Sequence, residues 1–149
     1  MGTSFEFVIR AEPRPQPRPK AARIAGRIRI YTPGTASLYK AAVQAAAKEA
    51  IHFDVTPIDS PVRVEGEFVM RRPKRMKKGD MDIPHCNKPD LDNLIKSTQD
   101  AIVDAGILRD DCIIYAATFT KRYANPEEAP HTRIRLFVED LDSLDKIKE

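Results

Sequence analysis

No stretch of this sequence approaches the roughly 18 consecutive apolar residues that a membrane-spanning helix needs, which excludes a helical membrane protein. The opening "MGTSFEFVIRAEPRP" lacks the basic-then-apolar order of a secretory signal, so a cytoplasmic protein is expected. Cysteine is scarce, and Cys86 and Cys112 form no CxxC pair, which argues against a disulfide framework. A zinc site of His85, Cys86, Cys112 and His131 is rejected because no zinc-ligand spacing supports it. There is no internal repeat. What remains is a chain of 149 residues, 32% of them charged, long enough to bury its own core as one soluble domain.

The charge is unevenly placed. Residues 1–78 carry 16 Lys/Arg against 7 Asp/Glu, whereas residues 79–149 carry 9 against 15. A basic half joined to an acidic half suits a polyanion-binding surface beside a cation-binding site, although folding could equally scramble the two into a mixed-sign surface. Two segments concentrate the positive charge. In "AEPRPQPRPKAARIAG", prolines at 13, 15, 17 and 19 fix φ and remove backbone donors, so residues 12–27 read as an extended basic segment. Arg14, Arg18, Lys20, Arg23 and Arg27 have only Glu12 to balance them there. In "RRPKRMKK", Arg71, Arg72, Lys74, Arg75, Lys77 and Lys78 fill six of eight positions, and Gly79 and Pro84 mark a loop beyond them.

Period-two alternation predicts strands at Ser4–Arg10, Ser60–Arg72 (Val62, Val64, Phe68 and Met70 inward), Cys112–Thr120 and around Ile134, Leu136 and Val138. A short strand is expected at Ile28 and Ile30. The alanine-rich Thr35–His52 is a helix whose stripe runs Tyr39, Val43, Ala46, Ala47, Ala50. A second helix starts at Asp90, buries Leu91, Leu94, Ile95, Thr98, Ala101, Ile102 and Ala105, and stops at Gly106. The fold class that follows is α+β, a single domain with two main helices packed on one face of a mixed β-sheet. Residues 140–149 read as a mixed-charge tail. Tyr31, Tyr39, Tyr115 and Tyr123 could stack on bases, but core or strand positions explain most of them more simply.

The chemistry concentrates in "NKPDLDNLIKSTQDAIVDAGILRDD", with Asp90 and Asp92 at one end, Asp110 and Asp111 at the other, and Lys96 four residues after Asp92. Each piece has an ordinary explanation. Acids in a first helical turn gain about 0.3–1 kcal/mol from the helix dipole. Asp92 and Lys96 are spaced for a helix ion pair, and Asp110-Asp111 could cap a turn. Together they also suit a metal, because clustered carboxylates repel and a hard cation such as Mg²⁺ relieves that repulsion.

The run "KPDLDNLIKSTQDAIVDAGILRDDCII" closely resembles the signature of the RusA family of Holliday-junction resolvases, a D-x-D-N-L-x-K helix followed by a D-D pair opening a strand. "PRPQPRPK", "YTP", the alanine-rich helix and "KRY" extend the likeness more loosely. The resemblance implies a homodimeric, Mg²⁺-dependent enzyme, with Mn²⁺ as a substitute, that cuts four-way DNA junctions by paired nicks leaving 5′-phosphate and 3′-hydroxyl ends. It implies that Asp90, Asp92 and Asp111 bind the metal and that Lys96 serves cleavage. Asn93 and Asp100 also match its pattern and are assigned to the helix surface or to capping. The two basic segments would then meet the junction arms, with phosphate contacts giving affinity rather than sequence information. Two other readings stay open: a branched-DNA-binding module without cleavage, and a nuclease acting on forks, flaps or RNA.

Overall fold

The computed structural model describes residues 2–15, 20–24, 26–31 and 34–140. In chain order the elements are β1 (Thr3–Ile9), β2 (Lys20–Ile24), β3 (Arg27–Tyr31), α1 (Gly34–Ala50), β4 (Val62–Met70), α2 (Leu91–Asp104), β5 (Ile114–Tyr123) and β6 (His131–Val138). Four of the strands form one sheet in the order β1-β6-β4-β5. β6 runs antiparallel to both its neighbours, while β5 runs parallel to β4. A parallel pair needs a crossover, and α2 supplies it. The α+β expectation with a mixed sheet therefore holds. Among the described residues no helix is long and apolar enough to cross a membrane.

The basic Pro-rich stretch gives way to a paired strand. Once the prolines end at Pro19, backbone donors return, and Lys20–Ile24 pairs with Arg27–Tyr31 as a separate two-stranded sheet. Gly26 takes the left-handed conformation (φ +79) that its turn requires. Arg18 and the tail 141–149 lie outside the described residues.

Alternation places Phe7, Ile9, Val62, Val64, Ile134 and Leu136 against Val43 and Ala47 of α1 and Ala101 and Ile102 of α2. One polar knot crosses this core. The buried Tyr39 hydroxyl bonds Thr98 Oγ1 at 2.9 Å and Thr132 Oγ1 at 3.1 Å, joining α1, α2 and β6. Burial raises the Tyr39 pKa, so the phenol stays neutral and its partners satisfy it. α2 ends as expected: the N–H of Gly106 bonds Val103 O at 2.9 Å and that of Ile107 bonds Ile102 O at 3.2 Å, with Gly106 left-handed.

A second cluster, Phe68, Met70 and Leu94, seats the first half of α2 beside Leu91, Ile95 and Phe119. The Phe68 and Phe119 rings stack with centroids 5.5 Å apart. Gly66 makes room for this pair, since a Cβ there would overlap the Phe119 ring and press on Ile134 Cδ1 at 3.1 Å. Gly66→Ala is expected to cost about 1–3 kcal/mol by overpacking. A thermal melt showing an unchanged midpoint would remove that assignment.

Candidate active site

Asp90 is the N-cap of α2, with extended backbone (φ −66, ψ 146), yet its side chain makes no capping hydrogen bond. An aspartate here usually accepts from the N–H of the second or third helical residue. The Asp90 carboxylate instead lies 3.0 Å from Lys88 Nζ, an exposed pair worth about 0–1 kcal/mol that a cation displaces easily. Asp92 follows in the first turn, exposed, with Oδ1 accepting the N–H of Asn93 at 3.0 Å. Lys96 is exposed one turn on. Residues 92, 96 and 100 recur every four positions, so Asp92, Lys96 and Asp100 share one stripe.

The segment entering α2 is braced against the end of β5. The N–H of Tyr123 donates to Ile83 O at 2.9 Å, and the N–H of His85 donates to Lys121 O at 3.0 Å. The Asn87 amide donates to the Tyr123 hydroxyl at 3.0 Å, and the His85 ring packs on Tyr123 with centroids 4.6 Å apart. Burial, and then the nearby Lys121 charge, lowers the His85 pKa and keeps that ring neutral.

Asp111 is placed differently from the expected strand start. The Asp110 side chain accepts the Asp111 N–H at 2.7 Å and opens a 3-10 turn over Asp111–Ile113, so the strand begins only at Ile114. Asp110 is held below the usual carboxylate range by that backbone bond. Asp111 is pushed up, first by its hydrogen bond with Asp110 and the charge of that neighbour, then by partial desolvation and the charge of Asp100. Asp100 acts on Asp111 through its charge from a partly exposed position on α2, in keeping with its expected place on the helix surface.

The two acidic groups stand apart within one chain. From the turn at Asp111, β5 carries the backbone on the order of 20 Å before Lys121, which neighbours the entry to α2. Among the described residues no three His, Cys, Asp or Glu side chains are grouped closely enough to hold a metal ion. The structure brings Asp111 to Asp100 and Asp110, and not to Asp90 and Asp92.

The loop cations Arg71 to Lys78 follow directly on β4, at the end of the sheet where β4 and β5 finish. Glu12 bridges the two basic segments, 3.3 Å from Arg14 and 3.4 Å from Arg71. Arg71, Lys74, Arg75, Lys77 and Lys78 are exposed. Arg72 is not available in the same way. Its guanidinium donates to Asp80 O at 2.9 Å, to Ala124 O at 3.2 Å and to Lys77 O, which folds the loop onto the end of the sheet. Lys20 and Arg23 sit on β2, and Arg27 opens β3 with its side chain exposed. Of the tyrosines, Tyr39 and Tyr123 are buried and Tyr115 is exposed, bonded to Glu139.

A groove of about 430 Å³ lies elsewhere, on the sheet face opposite the helices, between Glu65, Glu67, Thr118, Thr120, Arg133 and Arg135. Arg133 and Arg135 there both pair with Glu6, at 3.8 and 3.3 Å, so this face is charge-matched rather than basic.

Compared with known proteins, the sequence matches the family model described as Endodeoxyribonuclease RusA over residues 11–136. No curated protein matches it.

Proposed function

This chain belongs to the RusA endodeoxyribonuclease family, and on that premise we propose that it resolves four-way DNA junctions by paired symmetric nicks, leaving 5′-phosphate and 3′-hydroxyl ends. The observation that carries the proposal is the pairing, at one end of the sheet, of an exposed basic loop with a carboxylate, Asp90, that the helix cap does not use. A carboxylate left out of its own cap and weakly paired at the surface is suited to a hard cation. Asp90 and Asp92 would hold Mg²⁺, or Mn²⁺ in its place.

When bound, the metal lowers the pKa of a water and offsets negative charge on the phosphate. Lys96, one turn from Asp92, adds a positive charge where the transferring phosphate becomes more anionic. The loop cations Arg71, Lys74, Arg75, Lys77 and Lys78, with Arg14 and Arg27, would fix the backbone of the arms, and Arg18, Lys20 and Arg23 are proposed as further DNA contacts on their charge alone. A set that includes Asp111 needs a second copy, because one chain keeps it far from Asp90. Two symmetric cuts need a second copy as well, so the working unit is a two-fold homodimer.

The test is to incubate the protein with a labelled four-way junction, a Y-fork, a flap, duplex DNA and RNA, in Mg²⁺ and in EDTA. Symmetric nicks confined to the junction and to the metal-containing lanes support a resolvase. Preferential cutting of a fork, flap or RNA keeps the chemistry and replaces the substrate. Binding without any cut in Mg²⁺ or Mn²⁺ leaves a branched-DNA-binding module.

A further inference from the structure

We propose that Lys121 is a positioning residue that holds the backbone presenting Asp90. The Lys121 Nζ donates to Asn87 O at 2.8 Å and to Pro89 O at 2.7 Å. The second of these carbonyls belongs to the peptide that continues into Asp90, so the clamp acts one bond from the residue it orients.

Three observations point the same way. Lys121 pairs with Phe68 across the β4–β5 ladder, and Phe68 is buried against Leu94 of α2. Residues paired directly across a ladder share a face, so the Lys121 side chain leaves the sheet towards α2 rather than away from it. Next, two of the three N–H donors of the ammonium are spent on main-chain carbonyls. A lysine serving DNA phosphates keeps its head in solvent, whereas this one is drawn inward. Finally, the Asp90 carboxylate makes no capping bond. Fixing the entry to a helix is normally the work of that cap. Here the entry is fixed from β5, and the Asp90 oxygens pair with the exposed Lys88 rather than with the cap donors.

The brace has further members. Residues 121–123 of β5 also bind Ile83, His85 and Asn87, so the approach to α2 lies along the strand end as a short added edge. Lys121 is the one among them whose side chain reaches main-chain carbonyls of the entry, those of Asn87 and of Pro89 immediately before Asp90.

This inference rests on reading Asp90 as a metal-binding carboxylate, and its test separates the two. Full-length Lys121→Met, Lys121→Arg and the unaltered protein are compared by amide hydrogen exchange over residues 87–94 without metal, by junction binding in EDTA, and by single-turnover junction cleavage across a Mg²⁺ series. Lys121→Met should speed exchange locally, leave binding unchanged, and lower cleavage about 10–100-fold while raising the Mg²⁺ needed for half-maximal rate, the size typical of losing support behind a metal ligand. Lys121→Arg, which keeps charge and donors, should restore most of both effects. Loss of junction binding in step with cleavage would make Lys121 a phosphate contact instead. Faster exchange across the whole chain with a lower melting point would make it a general stabiliser. Unchanged exchange and cleavage would remove the role. Should the unaltered protein cut no branched DNA, the functional reading falls, and local exchange still decides the clamp.

Discussion

Asp90→Asn and Asp111→Asn are each expected to lose junction cleavage by at least about a thousandfold, and the two inactive proteins, combined in one dimer, to regain the ability to nick. The single losses follow from charge. Asparagine keeps the shape of the side chain but presents a neutral amide to a divalent cation, and a metal contributes several kcal/mol to such a reaction, at about 1.4 kcal/mol per tenfold. The regained activity follows from distance, since one chain holds Asp111 beside Asp100 and far from Asp90. If each site takes Asp90 from one copy and Asp111 from the other, a mixed dimer contains one site with both defects and one with neither. It therefore cuts one strand and not two. Co-expression of the variants with different tags, purification of the mixed dimer and analysis of a labelled junction reads this out. A mixed dimer as dead as either parent means that each site is built within one chain. Full activity of Asp111→Asn alone means that Asp90 and Asp92 suffice. Both variants should bind the junction in EDTA, because removing negative charge does not weaken attraction to phosphate.

Replacing Lys74, Arg75, Lys77 and Lys78 together with glutamine is expected to weaken junction binding at physiological salt by about three orders of magnitude and to lower the slope of log affinity against log salt by about 3 to 4, if each cation meets one phosphate. All four are exposed on the loop between β4 and α2. Arg72 is kept as it stands, since its three carbonyl bonds fold that loop, and its replacement would confuse lost charge with lost structure. Binding isotherms in EDTA at several salt concentrations measure the effect. A fourfold variant whose slope matches the unaltered protein would show that the junction lies elsewhere, with the Arg14 segment as the next surface to change.

Much of the fold was legible because it depends on local pattern. Val62, Val64, Phe68 and Met70 alternate as a buried strand must, and the Leu94 to Ile102 stripe with Gly106 behind it specifies a helix and its end. The acidic and basic groups were legible as groups for the same reason. Their mutual placement was not, because it depends on pairings between distant residues. Nothing in the spelling of Asp110-Asp111 says that the first caps a 3-10 turn and delays β5 to Ile114. Nor does the sequence say that Asp111 feels the charge of Asp100, a consequence of α2 passing back along the sheet between two parallel strands. Arg72 and Lys121 look like their basic neighbours until the carbonyls they bind are known. The pairing of Lys20–Ile24 with β3 was hidden by the prolines before it, which dominate any reading of that stretch.

The place of β6 in the sheet bears on the order in which a growing chain can acquire its structure. β6 is the last strand among the described residues, yet it lies between β1 and β4, and Ile9 finds its partner in Thr132. A nascent chain that has emerged only as far as β5 has its α2 acids and its basic loop but no inner strand to join β1 to the rest. Synthesis must pass residue 138 before the sheet closes, so the α2 acids and the basic loop emerge before the strand that completes the scaffold holding them.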